Sequence, residues 1–190
     1  MFAMQNLTAG QLNALVKKVG GEKAVHGILD GTLKFAVEVV KSVINLADFF
    51  KTRKGIWVSD EFRQRILAPA LEMEETAPAS VGKPYDLPCD MTDAEVRGKF
   101  YGNHVFEDTR AFCRYLESAI TAQWGGESGD LLNNGYANLF YVRGVNEKGE
   151  GEVFTVLVNW GADDGEWYVS AYRLDGNRWY RGCRAFPSNC

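Results

Sequence analysis

The 190-residue sequence has few of the side chains that most often bind metals or act as nucleophiles. It contains two histidines and four cysteines, and no two cysteines form a Cys-x-x-Cys pair. A structural zinc site needs four such ligands, which usually arrive in close pairs. The sequence therefore predicts no metal and no cofactor, and it favours reduced thiols at Cys89, Cys113, Cys183 and Cys190. A disulfide between Cys183 and Cys190 is the alternative, if the C-terminus folds back.

Long apolar runs are also absent. No stretch of roughly 18 consecutive apolar residues occurs, so the sequence predicts no transmembrane helix. Residues 1–6 lack the basic flank and apolar core of a secretory signal. We therefore expect a cytoplasmic protein that makes no membrane contact.

Apolar and aromatic residues are present in the proportions of a folded protein, at 46% and 13% of the chain. At this length folding buries about 70% of the surface of the unfolded chain. This burial offsets the loss of conformational entropy without disulfides or bound metals. Charge is uneven along the sequence. Residues 1–57 carry eight Lys and Arg against four acidic residues, whereas the whole chain has a net charge of −4. A basic front and an acidic back favour either ordinary solvated faces or a polyanion partner.

Glycine and proline positions divide the chain into four predicted parts. Residues 1–31 are predicted to form a helical appendage of two short helices, and residues 32–69 a segment of strand and helix. Four of the five prolines, with an acidic run, lie between positions 69 and 88. This composition predicts an extended connector over residues 70–90. Residues 91–190 are predicted to form an α+β domain.

The middle segment contains three local signals. Alternation of apolar residues over 33–40 predicts a strand, and residues 56–58 predict another. Ser59 is predicted to cap a helix that ends at Pro69. The residues of this helix that are predicted to face inward are Phe62, Ile66 and Leu67.

The C-terminal part has the clearest pattern. Thr92 and Glu95 form a capping box that starts one helix, and Asp108 caps a longer helix that runs to about Trp124. Turns rich in residues that tolerate positive φ separate four predicted strands. These strands cover residues 136–144, 152–160, 166–174 and 178–186. The predicted fold is α+β, with a short N-terminal helical pair, a mixed middle segment and a C-terminal four-stranded antiparallel β-meander packed by a helix.

The last predicted hairpin generates the most distinctive candidate surface. A Gly176-Asn177 loop sets Leu174 opposite Trp179, and a loop at Asp175-Gly176 is disfavoured because it opposes two arginines. One face of the preferred hairpin then carries Tyr168, Tyr172, Leu174, Trp179 and Arg181. The other face carries Trp167, Arg173, Tyr180, Arg184 and Phe186. Such a face favours stacking of bases or binding of a ligand. The alternative is that the aromatic pairs only stabilise the sheet.

Polar candidates lie in two further segments. Asn133 and Asn134 either bring two amides to the mouth of the sheet or form a tight turn into its first strand. His104 is a loop imidazole that is a candidate to pair with the thiol of Cys113 or Cys183 in a small-molecule enzyme. Because Cys113 lies on an apolar helix face and Cys183 in a strand, structural thiols are favoured. No catalytic residue is assigned.

Several segments resemble a family of small proteins from candidate-phylum bacterial genomes. The matching segments include Ile56-Trp57-Val58-Ser59, Tyr85-Asp86-Leu87-Pro88, Asn103-His104-Val105-Phe106, Leu131-Leu132-Asn133-Asn134-Gly135, 12–22, 91–95 and 167–169. That family has no assigned activity. The resemblance therefore implies a prokaryotic, cytosolic setting and no functional residues.

Taken together, these features favour a non-enzymatic binding or protein-interaction domain that uses the aromatic and arginine surface. A nucleic-acid-associated protein is the first alternative, and its affinity would fall steeply with salt. A small-molecule enzyme is the second alternative, and it requires a polar-lined pocket near His104, Cys183 or Asn133. The favoured partner is another protein.

Overall fold

A computed structural model of the chain describes residues 45–74, 77–100, 104–174 and 176–189. These residues all belong to the second of the two units of the chain, Ile44–Cys190. The helical pair predicted over 1–31 and the strand predicted over 33–40 lie outside the described residues. The division of the chain into four parts stays a prediction.

Four helices occur in the described ranges, and side chains cap three of them as the sequence predicts. They are α1 (Leu46–Phe49), α2 (Asp60–Phe62 and Ala68–Glu72, joined by the π-helical turn Arg63–Leu67), α3 (Asp93–Arg97) and α4 (Thr109–Ala122). The Ser59 hydroxyl accepts from the N–H of Phe62 at the start of α2. Thr92 and Glu95 form the predicted capping box of α3, and Asp108 caps α4. These caps satisfy N–H groups that have no partner within the helix.

Helix α2 continues past Pro69, so its predicted end was wrong. Phe62, Ile66 and Leu67 are buried, as predicted. The π-helical turn lies just before Pro69, which sits in the first turn of the α-helical part Ala68–Glu72. A proline is tolerated there because the helix does not need its missing N–H. The helix therefore extends to Glu72.

The described strands form a mixed sheet and a separate two-stranded ladder. They are β1 (Ile56–Val58), β2 (Tyr85–Asp86), β3 (Met91–Thr92), β4 (Val105–Phe106), β5 (Asn138–Val145), β6 (Gly151–Gly161), β7 (Glu166–Arg173), β8 (Arg178–Trp179) and β9 (Arg184–Phe186). Among these, the sheet order is β1-β7-β6-β5-β9-β2, with β4 also beside β5. Strand β1 runs parallel to β7, and β4 and β9 run parallel to β5. The other pairs, including β2 with β9, are antiparallel. The ladder pairs β3 with β8.

The protein is α+β, but the four-stranded antiparallel meander is wrong. Three of its strands, β5, β6 and β7, do form consecutive antiparallel pairs. The predicted fourth strand is divided. Trp179 pairs with Met91 in the small ladder, and Ala185 pairs with Leu139 in parallel on the far side of β5. Gly182, with φ of +94°, lies between the two pieces and turns the chain.

The two faces of the sheet carry different layers. One face packs on α1, α2 and α4 through a large apolar core that includes Phe62, Phe112, Phe140, Val156 and Trp167. Part of the other face is covered by a smaller core built around Leu87, Val96, Leu139, Trp179 and Ala185. This second layer contains α3 and the β3–β8 ladder. It covers the β5 side of the sheet.

Strand β5 approaches the π-helical turn of α2 closely at Gly144. A Cβ at this position would lie 2.4 Å from the carbonyl oxygen of Arg65 and 2.8 Å from Cδ1 of Ile66. Such distances require the backbone of α2 to shift, because a carbonyl oxygen cannot rotate away. Because Gly144 has no side chain, β5 and α2 can therefore pack this closely.

Gly144→Ala is expected to lower the free energy of unfolding by about 1–3 kcal/mol, measured by urea denaturation. Gly151→Ala is the matched control, since the nearest atom to its added Cβ is Cδ of Arg143 at 3.7 Å, an ordinary contact. The control should change stability by no more than about 0.5 kcal/mol. Equal stability of both variants would contradict the close approach.

Candidate binding surface

The sheet face opposite the helices is partly exposed over β6, β7 and β1, although Thr155 and Ser170 on this face are buried. Side chains alternate along these strands, so Ile56 and Val58 point to the helices whereas Trp57 between them is exposed. In the same register Trp57 lies beside Tyr168, and Tyr168 beside Asn159. Polar and aromatic residues therefore form a row across the open face.

Aromatic side chains dominate this open face. In the described residues six large hydrophobic side chains are exposed. Trp57 and Tyr172 lie on strands of this face, whereas Tyr136 and Tyr180 lie in the loops before β5 and after β8, beside a cavity that Asn159 of β6 also lines. Their exposed fractions are 40%, 43%, 45% and 70%, respectively. Together with Tyr168 and Trp179 we call them the open-face aromatic surface.

Trp57 and Tyr168 form the first pair of this surface. Their ring centroids lie 5.9 Å apart at an interplanar angle of 42°. The Tyr168 ring also lies against Gly161, where a Cβ would be 2.6 Å from Cε2 of the tyrosine. The Tyr168 hydroxyl donates to Oδ2 of Asp164 at 2.5 Å. This hydrogen bond raises the pKa of Tyr168 and holds the ring in place.

Tyr172 and Trp179 form the second pair, with ring centroids 6.1 Å apart. Trp179 is mostly buried, and its indole N–H donates to Oδ1 of Asp93 at 2.7 Å. The edge of Trp179 thus contacts an exposed tyrosine while its nitrogen is fixed inside the protein.

Asp93 is a buried carboxylate, 3% exposed, that joins the second layer to the sheet. Besides Trp179, the Tyr141 hydroxyl (3.1 Å) and the Thr155 hydroxyl (2.9 Å) donate to Oδ1. The Asn177 amide donates to Oδ2 at 3.0 Å. Burial, reinforced by the nearby Asp93, raises the pKa of Tyr141. Four donors from four elements of the chain therefore satisfy this one carboxylate.

Two cavities border the aromatic surface. One, of about 280 Å³, is lined in part by Tyr136, Leu157, Asn159, Trp179 and Tyr180. The other, of about 480 Å³, lies at the edge of β7 and is bordered by Trp57 and Tyr172. A third cavity of about 260 Å³ lies elsewhere, between Tyr115, Gly82 and Arg184.

The larger cavity also contains a charged cluster. Oε1 of Glu147 accepts from Nη2 of Arg173 at 2.9 Å and from Nη2 of Arg65 at 3.2 Å. Arg65 comes from the π-helical turn of α2, and Glu147 from the turn between β5 and β6. Helical turns of this kind often occur at functional sites.

The predicted site residues are only partly brought together. Tyr168, Tyr172 and Trp179 share the open face. Arg181 is exposed in the loop after β8, where its backbone N–H donates to Asp90. Arg184 points to the third cavity and forms a bidentate pair with Asp86, at 2.5 and 3.1 Å. That pair lowers the pKa of Asp86.

The predicted polar candidates lie apart from the aromatic surface pairs. The Asn133 amide donates to the carbonyl of Gly126, and the Asn134 side chain accepts from the N–H of Tyr136. Both residues therefore form the turn into β5, which the sequence offered as one interpretation. His104 packs against Phe100 and Tyr141, and its Nε2 accepts from Nε of Arg97 at 2.9 Å.

The cysteines that were candidate nucleophiles are buried. Burial raises the pKa of the Cys113 and Cys183 thiols, which lowers the population of the reactive thiolate. Cys113 lies in the core on the helix side, and Cys183 lies in the smaller core. Cys89 is exposed. All three are free thiols.

Sequence reasoning missed several residues of the site. Trp57 was assigned to a strand, but its exposure was not predicted. Asp93 appeared only within the segment 91–95, because an acidic residue in the first turn of a helix ordinarily interacts with the helix dipole and gives no sign of burial. Arg65 and Glu147 are far apart in sequence, and no local pattern connects them.

Comparison with known proteins finds no match: no protein-family model, no curated protein and no solved structure is similar to this chain. Within the described ranges no helix has the length and apolar character needed to cross a membrane. The part of the chain that the structure describes also contains no group of three or more His, Cys, Asp or Glu side chains placed to hold a metal ion.

Asp93→Asn is expected to destabilise the protein by about 1–3 kcal/mol. The new amide N–H₂ would face a hydrogen-bond donor at a position where the carboxylate oxygen now accepts a hydrogen bond. Urea denaturation followed by tryptophan fluorescence measures the loss. Asp90→Asn is the control, since Asp90 is exposed and its Oδ1 would still accept from Arg181. An unchanged unfolding midpoint for Asp93→Asn would mean that the buried carboxylate does not join the layers.

Iodoacetamide at pH 8 is expected to modify Cys89 in the native protein and to leave Cys113 and Cys183 unmodified. The reason is that the reagent needs an accessible thiolate, which the two buried thiols do not supply. Peptide mapping before and after unfolding in urea reads out each site. Rapid native labelling of Cys183 would instead support the enzyme hypothesis.

Proposed function

We propose that this protein is a non-enzymatic binding domain that recognises a protein partner through the open-face aromatic surface. One observation carries the proposal: of the six exposed large hydrophobic side chains in the described residues, Trp57 and Tyr172 lie on one face of the sheet, and Tyr136 and Tyr180 lie in loops beside a cavity that Asn159 of the same face also lines. Tyrosine and tryptophan are the side chains that most often dominate binding energy at protein interfaces, since they bury a large area with few rotatable bonds. The prokaryotic, cytosolic setting implied by the family resemblance is part of this proposal.

The aromatic side chains are held in place before a partner arrives. Asp164 and Gly161 fix Tyr168, and Asp93 fixes Trp179, which contacts Tyr172. A surface whose side chains are already ordered loses less conformational entropy on binding. The ordered and exposed rings therefore support a role in recognition. A side chain that only stabilised the sheet would contribute no more to stability by being exposed to solvent.

The charge of the unit favours a protein partner over a nucleic acid. Residues 44–190 contain sixteen Lys and Arg against twenty-two Asp and Glu, a net charge of −6. Nucleic-acid binding depends on neutralising phosphates with basic side chains. Of the predicted arginines, Arg184 is already paired with Asp86, which removes one cation from a nucleic-acid surface.

The buried thiols also support a binding role. One form of the enzyme hypothesis needs a reactive cysteine beside an imidazole. Burial raises the pKa of both Cys113 and Cys183, and the Nε2 of His104 accepts from Arg97. These groups are arranged as packing elements of the two cores.

The proposal is tested by selecting random dodecapeptides displayed on phage against the immobilised full-length chain. Affinities of the selected peptides are then measured by fluorescence anisotropy. Trp57→Ala and Tyr172→Ala are each expected to weaken binding about tenfold or more, the loss that interface aromatics usually show. Leu71→Ala is the matched control, because Leu71 is an equally exposed apolar side chain on α2, on the helix side of the sheet.

Three results would count against the proposal. They are the absence of any selected peptide, binding that survives both aromatic substitutions, and binding that Leu71→Ala weakens as much. Labelled single-stranded DNA and RNA, tested at low and moderate salt, address the alternative. If these probes bind, if their binding weakens with salt and if it requires Tyr172, the partner is a nucleic acid and not a protein.

A further inference from the structure

Strand β7 is paired on both sides only over its first half. Strand β1 pairs with Trp167, Tyr168 and Val169, and the N–H of Ser59 then donates to the carbonyl of Val169 at 2.9 Å. The chain turns into helix α2 at this point. Strand β7 continues to Arg173, which still pairs with Phe154 of β6. In the described ranges no strand pairs with residues 170–173 on the β1 side.

The backbone of Ala171 points to this free edge. The N–H of Trp167 and the carbonyl of Val169 both bond toward β1, and backbone directions repeat every second residue along a strand. The N–H and C=O of Ala171 therefore point the same way, beyond the end of β1. At Arg173 the carbonyl accepts from the Asn177 side chain. One residue thus presents both a donor and an acceptor to a chain that would lie beside β7.

The space beside this edge is the cavity of about 480 Å³. Trp57 and Tyr172 border it toward the open face, Phe154 and Ala171 line its apolar part, and Arg65 lies on the α2 side. This volume is within the usual range for ligand pockets, about 300–1,000 Å³. We call it the β7 edge groove.

The basic side chains that line the β7 edge groove are Arg65 and Arg173. Arg65 and Arg173 share a single carboxylate oxygen of Glu147, although each guanidinium has five N–H donors. The Arg65 side chain is 17% exposed, so water screens its charge less than that of Glu147, which is 70% exposed. Glu61 also lines the groove, but it is exposed at the surface. A carboxylate from a ligand would accept from guanidinium N–H groups that do not bond to Glu147.

We infer that the β7 edge groove binds an extended segment of the partner protein, which adds as a strand beside residues 170–173 and places an acidic side chain against Arg65 and Arg173. The inference rests on the proposed function and names the form of the partner. Backbone pairing with Ala171 supplies affinity that is independent of sequence, and the arginines supply selectivity for an acidic residue. Trp57 and Tyr172 pack against the apolar side chains of the segment.

The test uses the full-length chain and capped, fluorescein-labelled octapeptides of alternating valine and threonine whose fifth residue is Glu, Gln or Lys. Fluorescence anisotropy is expected to show that the Glu peptide binds about tenfold more tightly than the Gln peptide, the effect of one charged hydrogen bond. The preference should vanish in the double variant Arg65→Gln with Arg173→Gln. Glu147→Gln should instead strengthen binding of the Glu peptide, because it frees both guanidiniums.

A second measurement reports on the backbone. Hydrogen exchange followed by NMR is expected to slow at the Ala171 amide when the Glu peptide is bound, by about tenfold or more. N-methylation of the peptide at the residue opposite Ala171 should abolish this protection. If the double arginine variant does not fold, the Glu147→Gln variant and the exchange data still test the inference, since neither requires the double variant.

The outcomes separate this inference from the proposed function. If the Glu, Gln and Lys peptides bind alike, or if exchange at Ala171 is unchanged on binding, the inference is overturned. The proposed function then stands as long as the phage-selected peptides still require Trp57. If neither the octapeptides nor the phage library give binding, both are overturned.

Discussion

The packing of this protein depends on the way the two edges of strand β5 are used. One edge pairs with β6 over eight residue pairs. The other edge is shared by β9, opposite residues 138–140, and by β4, opposite residues 141–142. Because both partners run parallel to β5, each is reached by a connection that crosses from elsewhere in the chain. These connections carry α3 and the small ladder over β5 and part of β6, and Trp57 of β1 and Tyr172 of β7 stay exposed.

The buried carboxylate of Asp93 fixes the second layer at the boundary of this exposed region. A buried charge destabilises a protein unless its hydrogen-bonding capacity is satisfied, and here donors from β5, β6, β8 and the turn before β8 all meet it. The arrangement is cooperative, since each donor also restricts the position of the others. Its effect extends to the surface, because Trp179 is both a donor to Asp93 and the neighbour of Tyr172. Interior hydrogen bonding thereby sets the geometry of an exposed aromatic pair.

Signals that are local in sequence predicted local structure well. The caps at Ser59, Thr92 and Asp108, the amphipathic α4 and the antiparallel β5–β6–β7 segment all follow from short patterns. The pairing of residues 178–186 did not, because a period of two tells which side chains share a face but not which strand lies alongside. Gly182 was the available warning, since an isolated glycine within a strand pattern often marks a break. For the site, Tyr168, Tyr172 and Trp179 were predicted from alternation, whereas Trp57, Arg65 and Glu147 depend on contacts between distant segments.

An open strand edge also brings a hazard, since any extended chain, including another copy of the same protein, can pair with it. Natural proteins limit such pairing by keeping free edges short and by placing charged side chains across them. The free part of β7 has both features, because it spans only residues 170–173 and the Arg65–Glu147–Arg173 cluster lies beside it. Changes to this cluster would therefore affect solubility at high concentration even where folding is unchanged.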